Sequence, residues 1–259
     1  MNSNTIKQLN QLNQQFYQTI APDFSDSRQY FWAGWQQLGQ ELPLKNWANK
    51  TIRVLDLGCG NGRFAEFLAQ TYPQLKFEYS GIDNNDFLLN QAQKKLHQLK
   101  KPHQLLKLDL VESLINNKLN SQLKSTKFEL IVAFGLFHHL PSFTLRKKLI
   151  KVMAKLLSAK GLTVFTAWQF LNEPRFKHKL VKPTKLGLDP EQFEPNDFIL
   201  DWQRGKTAYR YCHYLDQQEI NQLVTTSGLK LIRQFQADGK SKQLNLYLIL
   251  SNKTTLKND

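Results

Sequence analysis

The sequence predicts an α/β protein whose core is a doubly wound, mostly parallel β-sheet of seven strands. Short apolar segments rich in β-branched and aromatic residues alternate with segments of helical periodicity along most of the chain, which is typical of parallel sheets covered by helices. A glycine-rich turn, Gly58–Gly62, joins the first strand to a helix and forms the first half of a βαβ unit. The 259 residues suffice for one large domain with additions.

Residues 1–46 predict an N-terminal helical cap. Apolar residues at helical spacing indicate a helix over residues 5–20, which Pro22 is expected to end. A second helical segment, residues 29–42, is rich in aromatic side chains. These rings either pack on the main domain or form an aromatic wall over a ligand site, and the two interpretations are compatible.

Residues 47–259 carry the alternating pattern. The predicted strands span residues 52–57, 77–82, 103–108, 128–134, 161–168, 229–236 and 243–250. Helices are predicted after the glycine turn and near residues 87–99, 142–157 and 216–227. A short turn joins the last two strands, so we expect them to form a β-hairpin.

Residues 171–200 interrupt this alternation after the fifth strand. The segment contains four prolines and a basic run, RFKHKLVKPTK, over residues 175–185. Long segments of this kind inside a compact domain are usually functional or disordered. The sequence therefore predicts a basic insertion.

Composition limits the partners and the compartment. Thirty-five Lys and Arg residues against 21 Asp and Glu give a net charge of +14. This excess favours a polyanionic partner, with nucleic acid first and an anionic membrane surface second. The alternative interpretation is a generally basic, solvated surface without such a partner. Two cysteines indicate no disulfide framework and fit a reducing compartment. The N-terminus lacks the pattern of a signal peptide and no apolar run is long enough to span a membrane, so we expect a cytoplasmic protein with no membrane partner.

The chemistry of the glycine turn depends on two acids. Asp56 precedes the first glycine by two residues, at the end of the first strand, where it repels a pyrophosphate but suits a ligand that carries an amine and a sulfonium. Asp83 ends the second strand, at about the spacing of a ribose-binding acid. The glycines run G-x-G-x-G, which differs from the dinucleotide-binding fingerprint.

This D-x-G-x-G pattern with a later acid resembles motifs I and II of class I S-adenosylmethionine-dependent methyltransferases. The resemblance implies that S-adenosylmethionine is the cofactor and that the loops at the strand ends contact it. It implies that the acid after the third strand lies near the adenine and that the loop after the fourth strand lies beside the methyl donor. The implied cofactor-binding residues are Asp56, Gly58, Cys59, Gly60, Asn61, Asp83, Asn84, Asp109, Leu110, Phe134 and His138.

Consecutive histidines, His138 and His139, raise the question of a metal site. Adjacent residues rarely point in the same direction, and no Cys, Asp or Glu stands near them in the sequence. We therefore expect no metal.

Several segments resemble one branch of these enzymes, the family that methylates the carboxymethyl group on the wobble uridine of tRNA, including the methyltransferase domain of the AlkB-type tRNA hydroxylase. The resemblance is carried by residues 12–28 (LNQQFYQTIAPDFSDSR), by GLFHHL and TAWQF, and by an Asp-Trp pair followed by Arg-Tyr-Cys-His at residues 210–213. Ser27 and Cys212 depart from the usual threonine and tyrosine. The resemblance implies tRNA as a partner, together with a small activating protein.

A carboxylate acceptor is ionised at neutral pH and needs no strong base, but it needs groups that hold one oxygen while the other attacks. Arg210, Arg28 and His213 are the catalytic candidates. A spacing of three puts Arg210 and His213 on opposite faces of a regular strand, so Arg210 is preferred. Tyr17, Trp168 and Tyr211 are expected to be walls of the substrate site, and Lys177, Lys179, Lys182 and Lys185 are expected to contact phosphates.

Two alternatives to tRNA methylation remain open from the sequence. The first is a small-molecule O- or N-methyltransferase whose N-terminal helices form a lid. The second is a non-catalytic methyltransferase fold that binds RNA or activates a partner.

Overall fold

The computed structural model describes residues 1–27, 30–124 and 126–252, and these residues form two β-sheets. The strands of the larger sheet are β1 (Ile52–Leu57), β2 (Phe77–Asp83), β3 (His103–Lys107), β4 (Phe128–Ala133), β5 (Leu157–Trp168), β9 (Lys230–Ala237) and β10 (Asn245–Ser251). The strands of the smaller sheet are β6 (Leu180–Val181), β7 (Asp197–Arg204) and β8 (Lys206–His213).

The helices flank the larger sheet or connect its strands. They are α1 (Ser3–Asp26), α2 (Ala33–Gly39), α3 (Leu44–Trp47), α4 (Arg63–Thr71), α5 (Asp86–Gln98), α6 (Leu110–Ile115), α7 (Leu119–Gln122), α8 (Phe143–Leu156), α9 (Pro174–Lys177) and α10 (Gln217–Ser227). None of these helices, which cover the parts of the chain that the structure describes, is long and apolar enough to cross a membrane.

The larger sheet has the order β3-β2-β1-β4-β5-β10-β9. Strands β3, β2, β1, β4 and β5 run parallel to one another, whereas β10 is antiparallel to both β5 and β9. The predicted fold class, with a terminal hairpin that contributes one antiparallel strand, is confirmed. Because the strand order reverses between β1 and β4, the carboxyl ends of these strands flank the crevice where ligands bind in open α/β sheets.

Apolar side chains fill both faces of the larger sheet. On one face, α8 packs its buried residues, among them Leu149 and Met153, against the sheet. On the other face, Trp35 of α2 packs with Phe64 and Phe67 of α4. Two of the aromatic side chains of residues 29–42, Phe31 and Trp35, therefore pack on the main domain, whereas Tyr30 is exposed, and α2 is shorter than predicted.

Two further elements differ from the sequence prediction. Helix α1 continues through Pro22 to Asp26. The lost backbone hydrogen bond at Pro22 is offset by packing on both sides of it, since Ala21 is buried and the Phe24 ring contacts Tyr17 edge-on. The second difference is the smaller sheet, which was not predicted: β6 lies within the basic insertion, and β7 and β8 form a long hairpin on which α1 packs.

Candidate active site

A cavity of about 500 Å³ opens at the carboxyl ends of β1, β2 and β4. Its walls come from α1, α2, the loops that follow these strands, the insertion and the smaller sheet. Every residue predicted to bind the cofactor lines it: Asp56, Gly58, Cys59, Gly60, Asn61, Asp83, Asn84, Asp109, Leu110, Phe134 and His138. The structure thus brings together residues that are dispersed between positions 56 and 138 of the sequence.

The glycine loop is fixed to β2. The amide groups of Gly58 and Cys59 donate to the carbonyl of Ile82 at 2.8 and 2.9 Å. Gly60 has a φ of +53°, and a β-carbon placed on it would meet no atom within 4 Å. A side chain at this position would therefore be strained and would project into the space beside the loop, which suits close approach of a ligand to the backbone.

Two buried acids stand beside the loop. The Tyr79 hydroxyl donates to Asp56 Oδ2 at 2.6 Å, and burial, opposed by this hydrogen bond, raises the pKa of Asp56 to about 7. Asp83 Oδ2 accepts from the Gly60 amide at 2.9 Å and Asp83 Oδ1 from the Asn85 amide at 3.0 Å. Burial nevertheless raises the pKa of Asp83, so both carboxyls would be stabilised by a cationic or hydrogen-bond-donating ligand.

Asp109 is engaged by the N-terminal helix. Its Oδ2 accepts from the side-chain amides of Asn10 and Gln14, each at 2.6 Å, and its Oδ1 accepts from the Glu112 amide as the N-cap of α6. The carboxylate therefore has little capacity left for a ligand. The Leu110 amide, in the first turn of α6, has no intrahelical acceptor and is the better donor to an adenine ring.

Arg210 also lines the cavity. Its guanidinium is 4.6 Å from the centre of the Trp168 ring and 5.0 Å from that of Phe16. The residue is 8% exposed, and its Nε finds no hydrogen-bond partner. Within the described ranges no carboxylate forms an ion pair with Arg210, so this buried cation lacks a counter-ion.

Both histidines of the predicted pair reach the cavity. His139 Nδ1 is 3.1 Å from the carbonyl of Tyr211, and its Nε2 is 2.9 Å from the Tyr17 hydroxyl. A carbonyl only accepts, so the network assigns the proton to Nδ1, and the tyrosine donates to Nε2. Burial, with the nearby Arg210 charge, lowers the pKa of His139 to about 3. The ring is therefore neutral at physiological pH.

The His138 ring packs against Trp168 with the ring centres 5.0 Å apart. Its Nδ1 is buried and finds no hydrogen-bond partner in the described part of the chain. Cys212 comes close in space: one potential ligand atom from each of His138, His139 and Cys212 lies within 4.8 Å of the others. Cys212 is distant from the histidines in the sequence, and β8 brings it to them in space.

His213 and Tyr211 do not line the cavity, which corrects their predicted catalytic and wall roles. Asp197 Oδ1 accepts from the Tyr211 hydroxyl at 2.6 Å and from His213 Nδ1 at 2.7 Å. His213 Nε2 contacts Glu219 at 2.6 Å, and Glu219 also pairs with the buried Arg146. Burial opposes the charged form of His213, but these hydrogen bonds outweigh it and raise its pKa. Both side chains serve a network that joins the smaller sheet to α8 and α10.

The remaining predicted residues are spread over different places. Tyr17, Trp168 and Lys179 line the cavity with Arg210. Lys182 and Lys185 line a separate, shallower groove beside β6, and Lys177 is exposed on α9. Arg28 lies outside the described residues.

Some cavity residues escaped the sequence reasoning. Arg63, directly after the glycine loop, donates to the Tyr30 carbonyl at 2.7 Å and lies over the Trp35 ring. Asp238, in the β9–β10 turn, accepts from the Gly34 amide and the Tyr247 hydroxyl and so anchors α2. The position of Arg63 beside the motif was an available signal. Nothing in the local sequence distinguishes Asp238 from an ordinary turn residue.

Residues 25–234 match the methyltransferase-domain family, and the chain therefore belongs to that family of methyltransferases. The expectations of a transferase of one-carbon groups and of S-adenosylmethionine as its cofactor are confirmed.

Individual relatives are distant. An Encephalitozoon cuniculi protein named as a methyltransferase is 24% identical over 235 residues, which cover 91% of this chain and 92% of that protein. The human protein named "Probable tRNA methyltransferase 9B" is 23% identical over 189 residues, 73% of this chain, and the chain spans 32% of that relative's length. A solved S-adenosylmethionine-dependent methyltransferase from Clostridium acetobutylicum ATCC 824 shares the fold, with a TM-score of 0.62 at 14% identity over 92% of this chain and 97% of that one.

Proposed function

We propose that this methyltransferase transfers a methyl group to the carboxylate of a carboxymethyl-modified wobble uridine in tRNA. The observation that carries the proposal is the buried guanidinium of Arg210, which faces the cavity without a counter-ion among the described residues. A buried charge that lacks a partner is costly. An anionic acceptor supplies that partner, and an arginine fork holds a carboxylate at two points.

The residues around the glycine loop fit the cofactor. Asp83 and the Gly60 backbone face the space where a ribose can donate hydrogen bonds, and the carboxyl of Asp56 suits a nearby positive charge. The Leu110 amide suits the adenine. S-adenosylmethionine supplies an electrophilic methyl group on a sulfonium, and its transfer to a carboxylate oxygen breaks the sulfur–methyl bond and moves no proton.

The protein's contribution is then positional. Arg210 holds the acceptor carboxylate in line with the methyl group, which converts a bimolecular step into an intramolecular one. The rings of Trp168, Phe176 and Trp202 also line the cavity and offer flat faces on which a nucleobase can stack. The neutral His139 adds no positive charge beside Arg210.

Three features support an RNA acceptor. The net charge is +14. Arg175 and Lys179 of the basic insertion reach the cavity itself, and Lys182 and Lys185 line the neighbouring groove, so a polyanion that enters the cavity meets several cations. The relative named "Probable tRNA methyltransferase 9B" adds a distant homology that points to the same class of acceptor.

The experiment compares wild type with Arg210→Lys on tRNA that contains carboxymethyluridine, with the methyl ester measured by nucleoside mass spectrometry. The substitution keeps the charge and removes the fork, so we expect turnover to fall at least about tenfold while S-adenosylmethionine affinity is unchanged. Arg233→Lys is the matched control, because its guanidinium is half exposed, pairs with Glu41 and lies outside the cavity, and it should change turnover little.

A wild-type rate in Arg210→Lys would end the clamp assignment. If the wild-type protein ignores carboxymethyluridine tRNA but methylates small carboxylic acids, the alternative of a small-molecule O-methyltransferase replaces the tRNA proposal. In that alternative Arg210 still binds the carboxylate of the acceptor, and the basic groove has no ligand.

A further inference from the structure

We propose that His138, His139 and Cys212 form a binding site for a thiophilic divalent metal ion, with Zn²⁺ as the best match. The two imidazoles and the thiol are all buried, and one potential ligand atom from each lies within 4.8 Å of the others. Two nitrogen ligands and one sulfur ligand suit Zn²⁺ in tetrahedral coordination better than they suit the oxygen-preferring Mg²⁺ or Ca²⁺.

The second observation is the orphaned nitrogen of His138. Its Nδ1 is buried and has no hydrogen-bond partner within residues 1–27, 30–124 and 126–252. A buried polar atom without a partner costs free energy, and such atoms call for an explanation such as an ion. A metal ion that is held at Nδ1 satisfies its lone pair.

His139 is already oriented as a metal ligand often is. Its Nδ1 proton is directed at the Tyr211 carbonyl, 3.1 Å away, which leaves the lone pair on Nε2. Metal-bound histidines usually donate their second ring nitrogen to a carbonyl or carboxylate in this way. The Tyr17 hydroxyl, which now donates to Nε2 at 2.9 Å, gives up this bond when the ion binds.

The required adjustment is small. Metal–ligand bonds of about 2.0–2.3 Å at tetrahedral angles place the ligand atoms about 3.3–3.6 Å apart, so the present separations of up to 4.8 Å close by roughly 1 Å. Binding forms one sulfur–metal bond and two nitrogen–metal bonds, and the thiol proton passes to solvent without any redox change. The thiolate offsets the repulsion between the ion and Arg210, which, like His138, lies against the Trp168 ring. Because His138 lines the cavity, a fourth coordination position is open on that side.

The test measures metal binding by the S-adenosylmethionine-free and RNA-free protein, so its result is independent of the proposed tRNA substrate. Co²⁺ is the spectroscopic probe, because coordination by a cysteine thiolate gives a charge-transfer band in the near ultraviolet, and Zn²⁺ competition then gives the affinity. We expect one ion per chain. Cys212→Ser and His138→Gln should each weaken Zn²⁺ binding by at least about a hundredfold. Mutation of a residue that only hydrogen-bonds to a metal ligand costs about 10- to 100-fold in metal affinity, and loss of the ligand itself should cost at least as much.

Cys59→Ser is the matched control, because Cys59 is the other buried cysteine but belongs to the glycine loop, and it should retain the band and the affinity. The absence of a thiolate band in the wild-type protein overturns the proposal, whether or not the variants fold. So does a Cys212→Ser variant that melts like the wild type and binds Zn²⁺ equally well.

Discussion

The Tyr79 hydroxyl on β2 donates a hydrogen bond of 2.6 Å to Asp56 Oδ2 on β1. Both side chains are buried, and burial keeps the pKa of Asp56 near 7 even though this hydrogen bond lowers it. The carboxyl beside the glycine loop is therefore half protonated near neutral pH. Its charge responds to whatever binds in the cavity.

We expect S-adenosylmethionine binding to release a proton from Asp56. A cationic ligand favours the carboxylate, so binding lowers the pKa of Asp56 below 7 and affinity rises with pH up to about 7, then levels off. Between the lowered pKa of the complex and pH 7 the rise approaches about tenfold per pH unit. Calorimetry in buffers of different ionisation enthalpy measures the released proton directly.

Two variants separate this effect from titration of the ligand itself. Asp56→Asn should bind more weakly and lose the proton release. Tyr79→Phe removes the hydrogen bond that lowers the pKa of Asp56, so the midpoint of the affinity profile should move to higher pH. An affinity that rises identically with pH in wild type and Asp56→Asn would assign the proton to the ligand.

Replacement of Asp83 by Ala should weaken S-adenosylmethionine binding about ten- to a hundredfold. The change removes a carboxylate that can accept from a ribose, at about 1.5–3 kcal/mol for a charged hydrogen bond, and it releases the Gly60 amide. Asp86→Ala is the control, since Asp86 begins α5 nearby but is exposed and pairs with Lys107. Calorimetry that shows equal affinities for the two variants would contradict the placement of the ribose.

The four lysines of the insertion and its groove are expected to contact RNA phosphates. Replacing Lys177, Lys179, Lys182 and Lys185 with Ser should flatten the slope of log K against log salt for tRNA by about 3, while S-adenosylmethionine affinity stays constant. Fluorescence titration at several salt concentrations measures both.

The control for that variant replaces four exposed lysines that line neither the cavity nor the groove: Lys94, Lys118, Lys160 and Lys230. It has the same net charge, so a general effect of charge alters both variants equally. Equal slopes in the two variants would make the basic run an ordinary solvated surface.

Arg146→Met should destabilise the fold by about 3–5 kcal/mol. Arg146 is 1% exposed and bonds to Glu219, Glu194 and the Leu140 carbonyl, so its loss removes a buried counter-charge from two partly buried carboxylates. Arg53→Met, which breaks an exposed pair with Glu129, should cost less than about 1 kcal/mol. Urea unfolding followed by circular dichroism measures the free energy of unfolding of both variants. Similar decreases in the two variants would show that the Arg146 network does not stabilise the fold more than an ordinary surface ion pair does.

The larger sheet could be predicted because its signals are local. Each strand from β1 to β5 is a short apolar segment, and Asp56 and Asp83 end two strands that lie side by side. The smaller sheet could not, since β6 and the start of β7 lie in a segment whose prolines suggested a loop, and neither β7 nor β8 has a continuous apolar or regularly alternating pattern. Pro22 misled for a related reason: tertiary packing of α1 outweighs the local preference to end the helix.

The site shows the same division. Residues next to the glycine motif were placed correctly at the cavity, because the motif fixes the backbone around them. The role of His213 depended on Asp197 and Glu219, and the role of Cys212 depended on two histidines that precede it by more than seventy residues. Such contacts follow from the register of β8 against β7 and from its packing on the 137–139 turn, which no local pattern encodes.

The place of β10 between β5 and β9 has a consequence for synthesis on the ribosome. One edge of β5 stays unpaired until the smaller sheet, α10, β9 and finally Asn245–Ser251 have been translated, which takes on the order of ten seconds at ~5–20 residues per second. During that interval a nascent chain displays an apolar strand edge of the kind that pairs with other chains. Ribosome-arrested chains that stop before Asn245 should therefore be sensitive to protease and bind chaperones, and chains in which Ser251 has left the exit tunnel should lose both properties.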